Sequence, residues 1–247
     1  MYTHHKLDHE YGHGVETTVR YAVCALPRSG SSLLCELLFG TGLAGAPAEY
    51  FDPALMRQFR ARWGVATFDD YLAAVLARKT GPNGVFGFKA HFFQLAEAFP
   101  DNGLDRALPS VRRIYITRRD RLRQAISWAR ALQSGKWASD HVVKAERPVA
   151  FSRAQIDRLL AGISEREHRW ESFFAASGPA PLRIEYEDLV ASPDETVLAA
   201  LRHIGVAVRE GARVGAPTLR RQADEVTEDW VNRYSGGELE TVEAARW

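Results

Sequence analysis

The sequence predicts an α/β domain with a P-loop-like, mainly parallel sheet flanked by helices. Three observations point there. Short apolar runs alternate with longer segments whose apolar residues recur at helical spacing. Glycine, proline and serine clusters separate them. The polar residues suited to chemistry fall directly after the strands, where the ligands of such sheets bind.

Residues 20 to 26, RYAVCAL, read as a buried strand, and a helix follows over 31 to 41, ending before Gly42. TGLAGAPAEYFDP is a loop broken by Gly42, Gly45, Pro47 and Pro53. ALMRQFRARW and FDDYLAAVLARKT have helical spacing, with Asp69 or Asp70 favouring the start of the second. Pro82-Asn83-Gly84 makes a turn into a strand that ends near Lys89. A further strand covers 111 to 117. Asp120 opens the next helix, whose apolar stripe is Leu122, Ala125, Ile126, Ala129 and Leu132. A long helix is expected over 153 to 176. PLRIEYEDL supplies another strand, and SPDETVLAALRHIG a helix with Ser192 ahead of Pro193. The polar tail carries a helix at 225 to 234.

The chain has 247 residues, 46% of them hydrophobic, enough for one large core. We expect a polar, His-rich, partly mobile arm over 1–19 and a single domain over 20–247. The arm holds His4, His5, His9 and His13, half of the chain's eight histidines. Loose metal binding is the lesser reading of that tail. With 32 basic and 31 acidic residues, the chain lacks the basic excess of a nucleic-acid binder, yet a local site for a small anion remains open. Cys24 and Cys35 are the only cysteines, both in apolar stretches, and read as buried small hydrophobes. No stretch suits a membrane-spanning helix, and the start lacks the apolar core of a signal peptide. A reducing, cytoplasmic setting is the expectation.

The segment PRSGSS, residues 27 to 32, joins the first strand to the first helix. Backbone N–H groups at a helix start have no intrahelical acceptor, and the helix end carries partial positive charge. Such a turn is an anion site. Gly30 allows close backbone approach, Ser29, Ser31 and Ser32 bring hydroxyls, and Arg28 brings a charged fork. The plainer reading is a strand-to-helix turn with serines as helix starters. The standard P-loop signature needs a Gly-Lys pair before Ser or Thr, which this turn lacks, so a nucleotide-hydrolysing reading is weakened. Lys89, at the end of its strand, reads either as a ligand for a transferring group or sugar, or as a cation reaching to solvent. Phe92, Phe93, Trp128 and Trp137 are candidate sugar-stacking walls or core.

PRSGSS after a strand resembles the 5′-phosphosulfate loop of sulfotransferases that use 3′-phosphoadenosine 5′-phosphosulfate. TGLAGAPAEYF, PNGVFGFK, RRDRLRQAISWARALQSGKW and RQADEVTEDWVNRY are similar to segments of the bacterial trehalose 2-sulfotransferase family, in the same order over residues 20 to 235. The resemblance implies the sulfotransferase fold, with Arg28, Ser29, Gly30, Ser31 and Ser32 on the 5′-phosphosulfate. Arg118 and Ser127 would hold the 3′-phosphate, though a shorter spacing to Ser127 would choose Arg119. Arg221 would add a contact, with Gln222 beside it and Arg220 as a substitute. Glu49 matches the family's catalytic base; read alone it is a loop carboxylate.

The resemblance further implies sulfonate transfer to a hydroxyl of a carbohydrate or glycolipid acceptor, with adenosine 3′,5′-bisphosphate as product and no metal. It is compatible with a homodimer, while the charge balance argues against a nucleic-acid partner. Arg28 would sit where charge develops and Glu49 would take the acceptor's proton. Two other readings stand beside it: a P-loop-type nucleotide-dependent kinase, and a non-catalytic nucleotide-binding protein of the same fold.

Overall fold

The computed structural model describes residues 5–12, 14–101, 103–137, 148–208, 214–215 and 224–237. In chain order the elements begin α1 (His5–Asp8), β1 (Val19–Ala25), α2 (Ser31–Gly40), α3 (Pro53–Trp63), α4 (Phe68–Lys79), β2 (Val85–His91), α5 (Phe92–Ala98) and α6 (Leu104–Ala107). They continue with β3 (Arg112–Thr117), α7 (Arg121–Ser134), α8 (Arg153–Ala176), β4 (Leu182–Glu185), α9 (Tyr186–Ala191), α10 (Pro193–His203) and α11 (Glu225–Ser235). The chain divides into two compact units. The larger holds His4–Arg119 and Arg166–Thr218; the smaller holds Met1–Thr3, Asp120–Glu165 and Leu219–Trp247.

In the larger unit the four strands form one parallel sheet, ordered β2-β1-β3-β4. β1 lies inside that sheet, which is why it is an unbroken apolar run rather than an alternating one: every residue from Tyr21 to Leu26 is buried. Val23, Ile114, Ile116 and Ile184 pack in one cluster with Leu34, Leu37, Leu38 and Leu201. Tyr115, which alternation turns to the other face, meets the rings of Phe174 and Trp170 at 5.1 and 6.2 Å. Burying each such side chain stabilises the fold by roughly 1.5–3 kcal/mol. Tyr21 stands opposite Gly87 on β2. A Cβ on Gly87 would lie 2.2 Å from Tyr21 Cζ, so only glycine lets that ring cross β2. The Tyr21 hydroxyl then donates to the Ala44 carbonyl at 2.8 Å.

The α/β class and the parallel sheet are as the sequence predicts. Four short helices, α1, α5, α6 and α9, are additions to that reading, and β4 stops at Glu185, well short of Leu189. α4 is capped by Thr67, whose Oγ1 accepts from Asp70 N at 3.1 Å, so neither Asp69 nor Asp70 is the cap. Asp120 does open α7, accepting from Arg123 N at 2.8 Å. Ser192 precedes α10 but makes no side-chain cap bond. Ahead of β1, residues 7, 9 and 11 of the arm hydrogen-bond to the end of α4. Lys79 Nζ donates to the Leu7 and His9 carbonyls at 2.6 and 2.7 Å, and Tyr11 N donates to Arg78 O at 2.9 Å.

The smaller unit is built on α7, residues 153–165 of α8, and α11. Arginine pairs join its helices: Arg130 reaches both oxygens of Asp224 at 2.6 and 2.7 Å, and Arg123 reaches Glu228 Oε2 at 2.5 Å. Phe151 meets Trp230 edge-on at 5.9 Å. Among the described residues no helix is long and apolar enough to cross a membrane, and no three His, Cys, Asp or Glu side chains gather as metal ligands would.

Candidate active site

The turn between β1 and α2 is shaped by two left-handed residues. Arg28 has φ 63° and Gly30 φ 90°. For a non-glycine residue that conformation costs roughly 1–2 kcal/mol, so the surrounding structure must enforce it. Ser29 does part of that enforcing. It is fully buried, and both its N–H and its hydroxyl donate back to the Leu26 carbonyl, at 3.3 and 2.9 Å. Ser29 therefore closes the turn, and its hydroxyl faces inward. Gly30 is the N-cap of α2, and no side chain caps that end. α3, α4, α7 and α11 are each capped by a side-chain oxygen, from Asp52, Thr67, Asp120 and Asp224. The first amides of α2 thus have no side-chain acceptor of the kind that closes those four helices, and Ser31 and Ser32 stand beside them. The ring of Tyr186 lies against Gly30, where a Cβ would come within 2.3 Å of Tyr186 Cδ2.

The next strand end brings Lys89 to the same place. Lys89 Nζ donates to Ser32 Oγ at 3.0 Å and pairs with Glu49 Oε1 at 2.7 Å. Glu49 is positioned by its own loop: Ala48 bridges to Phe88, and Lys89 N donates to Ala48 O at 2.9 Å. Burial alone would raise the Glu49 carboxyl. The Lys89 ammonium, His91, and hydrogen bonds from Lys89 and Gln94 overcome that and hold it down to about 2. His91 Nε2 stands 4.0 Å from Glu49 Oε2, and its Nδ1 lies 2.9 Å from the Ala25 carbonyl, which can only accept. Burial keeps His91 below the usual imidazole range.

The run of arginines around β3 separates by partner. Arg112 donates to the His203 carbonyl at 2.6 Å, and the buried Arg113 holds Asp105 at 2.5 and 2.6 Å. Arg119 is gripped by Glu185 and Asp188, and its N–H donates to Glu187 at 3.0 Å. Arg118 instead lays its guanidinium over the Tyr186 ring at 4.8 Å, with Glu187 3.9 Å from its Nε. Tyr186 thus touches both Gly30 and Arg118.

The structure therefore brings the turn, Glu49, Lys89 and Arg118 into one region of the larger unit. Ser127 lies on α7 in the smaller unit. Arg220, Arg221 and Gln222 lie outside the described residues. Trp128 is buried, Phe92 packs on Trp170 and Phe173 at 5.4 and 6.2 Å, Trp137 is part-exposed, and Phe93 is 54% exposed. Sequence reasoning missed Tyr186, His91 and Gln94. For the last two there was a local signal, a helix-start residue followed three positions later by Gln, as in a capping box.

A profile of the Stf0 sulphotransferase family matches residues 20–236. Trehalose 2-sulfotransferase of Mycobacterium tuberculosis is 29% identical over 252 residues, covering 87% of this chain and 93% of that protein. Its counterpart in Mycolicibacterium smegmatis is 28% identical over 255 residues, with the same coverage of 87% and 93%. Among solved structures, mouse sulfotransferase SULT7A1 complexed with PAP aligns at a TM-score of 0.44 and 13% identity, covering 89% of this chain and 65% of that one. The family match runs from the first residues of β1 through the last helix, across every element of the site. The chain belongs to the Stf0 sulphotransferase family and is a sulfotransferase.

Proposed function

We propose that this sulfotransferase moves a sulfonate from 3′-phosphoadenosine 5′-phosphosulfate to a hydroxyl of a carbohydrate, trehalose or a related glycoside, with Glu49 as general base. The observation that carries the reading is Lys89, which bridges Glu49 and Ser32 and so ties a carboxylate to an anion-binding turn. The two relatives reported above, both trehalose 2-sulfotransferases, support the acceptor class.

The residues present fit the donor. The α2 end with no side-chain cap, Arg28, and the hydroxyls of Ser31 and Ser32 suit a phosphosulfate. Ser29 shapes the turn from behind. Arg118, from the same region, would hold the 3′-phosphate, and Ser127 and Arg221 are the further contacts that the resemblance implies for that group. When bound, the donor supplies an electrophilic sulfur and a phosphate leaving group. The acceptor oxygen forms the new O–S bond as the bond from sulfur to the phosphate oxygen breaks, and the electron pair leaves with that oxygen. Arg28 and the loop amides meet the charge that develops there. Glu49 removes the acceptor's proton.

A carboxyl held at about 2 is a poor proton acceptor. Lys89 resolves this. An anionic group on the turn competes with Glu49 for the Lys89 ammonium, and Glu49 regains basicity as that pairing weakens. Basicity thus rises when a donor is present. Phe93, exposed and stacked on His91 at 6.1 Å and 16°, offers a flat apolar face to a sugar ring beside the base. Residues 20–247 would act as one functional domain.

The test is transfer of labelled sulfonate from the donor to trehalose and a panel of glycosides, glycolipids and small alcohols. Sulfated saccharide is expected. Glu49→Gln should lower kcat by about 10²–10⁴-fold, while Arg118→Ala should raise the donor KM with a smaller effect on kcat. Transfer to no saccharide in the panel, or full turnover by Glu49→Gln, overturns the reading.

A further inference from the structure

Gln94 is a polar side chain 1% exposed on α5, five residues beyond Lys89. All of its amide is used. Oε1 accepts from His91 N at 2.7 Å. Nε2 donates to Glu49 Oε2 at 2.8 Å and to Asp52 Oδ2 at 3.2 Å. A main-chain N–H on one side and two carboxylates on the other leave the amide a single orientation. Asp52 is itself the N-cap of α3, accepting from Ala54 N and Leu55 N at 3.0 and 3.1 Å through its other oxygen. One amide therefore joins the end of β2, the Glu49 loop and the start of α3.

We infer that Gln94 is the positioning residue of Glu49: it clamps Oε2, so that Oε1 alone turns to Lys89 and the acceptor hydroxyl. This rests on Glu49 being the base. The charged and titratable groups facing Glu49 are Lys89 and His91 from β2 and, through Gln94, Asp52 ahead of α3. His91 Nδ1 faces a carbonyl, so the neutral ring carries its proton there and offers Glu49 none. When Lys89 is drawn toward an anion on the turn, Gln94 is the donor that keeps Glu49 in place.

The residue type separates this role from a purely structural one. Gln94 is the third helical residue in a capping box with His91, and that position accepts Glu as readily as Gln. An ionised Glu cannot donate to carboxylates. Gln94→Glu therefore keeps the helix cap and sets a negative charge against Glu49 and Asp52. A purely structural role predicts lost stability with kcat unmoved. A positioning role predicts a fall in kcat of about tenfold or more, an acid limb of the kcat–pH profile moved upward by about one unit or more, and a donor KM within about twofold of wild type.

The experiment compares wild type, Gln94→Glu, Glu49→Gln and the double variant, with labelled donor and trehalose as the probe acceptor. Thermal melts and ¹³C carboxyl NMR titration of Glu49, assigned by its loss in Glu49→Gln, run alongside. We expect a folded Gln94→Glu protein with a lowered melting temperature, a raised Glu49 titration, and no further kcat loss on adding Gln94→Glu to Glu49→Gln. Gln94→Met, which removes the donor without adding charge, gives the same direction if Gln94→Glu does not fold. A Glu49 titration unchanged in both Gln94 variants overturns the inference, whatever the activity. Full turnover by Glu49→Gln instead sinks the base assignment, which the titration reads separately.

Discussion

At the scale of single residues, the turn after β1 depends on what Gly30 lacks. Its φ of 90° disfavours any side chain, and Tyr186 Cδ2 and Cε2 would stand 2.3 and 3.1 Å from a Cβ. Gly30→Ala should cost about 1–3 kcal/mol from strain and overpacking, read as a lower urea midpoint, and should weaken adenosine 3′,5′-bisphosphate binding by calorimetry because Tyr186 must move. The turn was legible from sequence because strand, serines and helix start are contiguous. Glu49 was legible only through family resemblance, since a lone loop carboxylate carries no pattern. Gln94 was not legible as a partner of Glu49, because 45 residues separate them and the tertiary pairing of the Ala48–Glu49 loop with Phe88 and Lys89 brings them together. Arg118 and Arg119 looked alike in sequence. They differ because the start of α9 supplies Asp188 to one and the Tyr186 ring to the other.

At the scale of elements, capping decides where helices begin and what their ends can bind. Asp224 caps α11, accepting from Thr227 N at 3.0 Å, and also takes both arms of Arg130. Arg130 holds the Asp224 carboxyl down to about 2 by that hydrogen bonding. Asp224→Ala removes cap and ion pair together. The cap is worth about 1 kcal/mol and an exposed pair about 0.2–1 kcal/mol. The variant should unfold at lower urea, with α11 amides exchanging faster than those of α2. Long elements were read well from the sequence: α8 falls at 153–176, where periodicity placed it. Short ones were not. α5 and α9 each follow a strand without a breaker, so FFQLAEA and YEDLVA blend into the apolar runs before them. What ends each strand is lost pairing: β2 stops at His91, opposite Ala25, and β4 at Glu185, opposite Thr117.

At the scale of the whole molecule, folding stability is linked to the site through protons. The Glu49 carboxyl is held down to about 2, against an ordinary value of 4.5. A group depressed on folding contributes stability that is complete above its unfolded value and is lost as pH falls through the folded one. Wild type should therefore lose stability between about pH 4.5 and 2 more steeply than Glu49→Gln, measured as urea midpoints of both proteins across that range. Equal slopes would show that Glu49 is not held ionised by the fold. Lys79 ties a second distant segment to the same neighbourhood. Its ammonium lies 5.7, 5.4 and 6.0 Å from the rings of Tyr50, Phe59 and Trp63, and its oxygen partners belong to residues 7 and 9. A protein trimmed to begin at residue 20 would strand that cation among three aromatic faces, one of them Tyr50, the neighbour of Glu49. The leading segment is thus footing for the loop that carries Glu49, through the lysine that both of them contact.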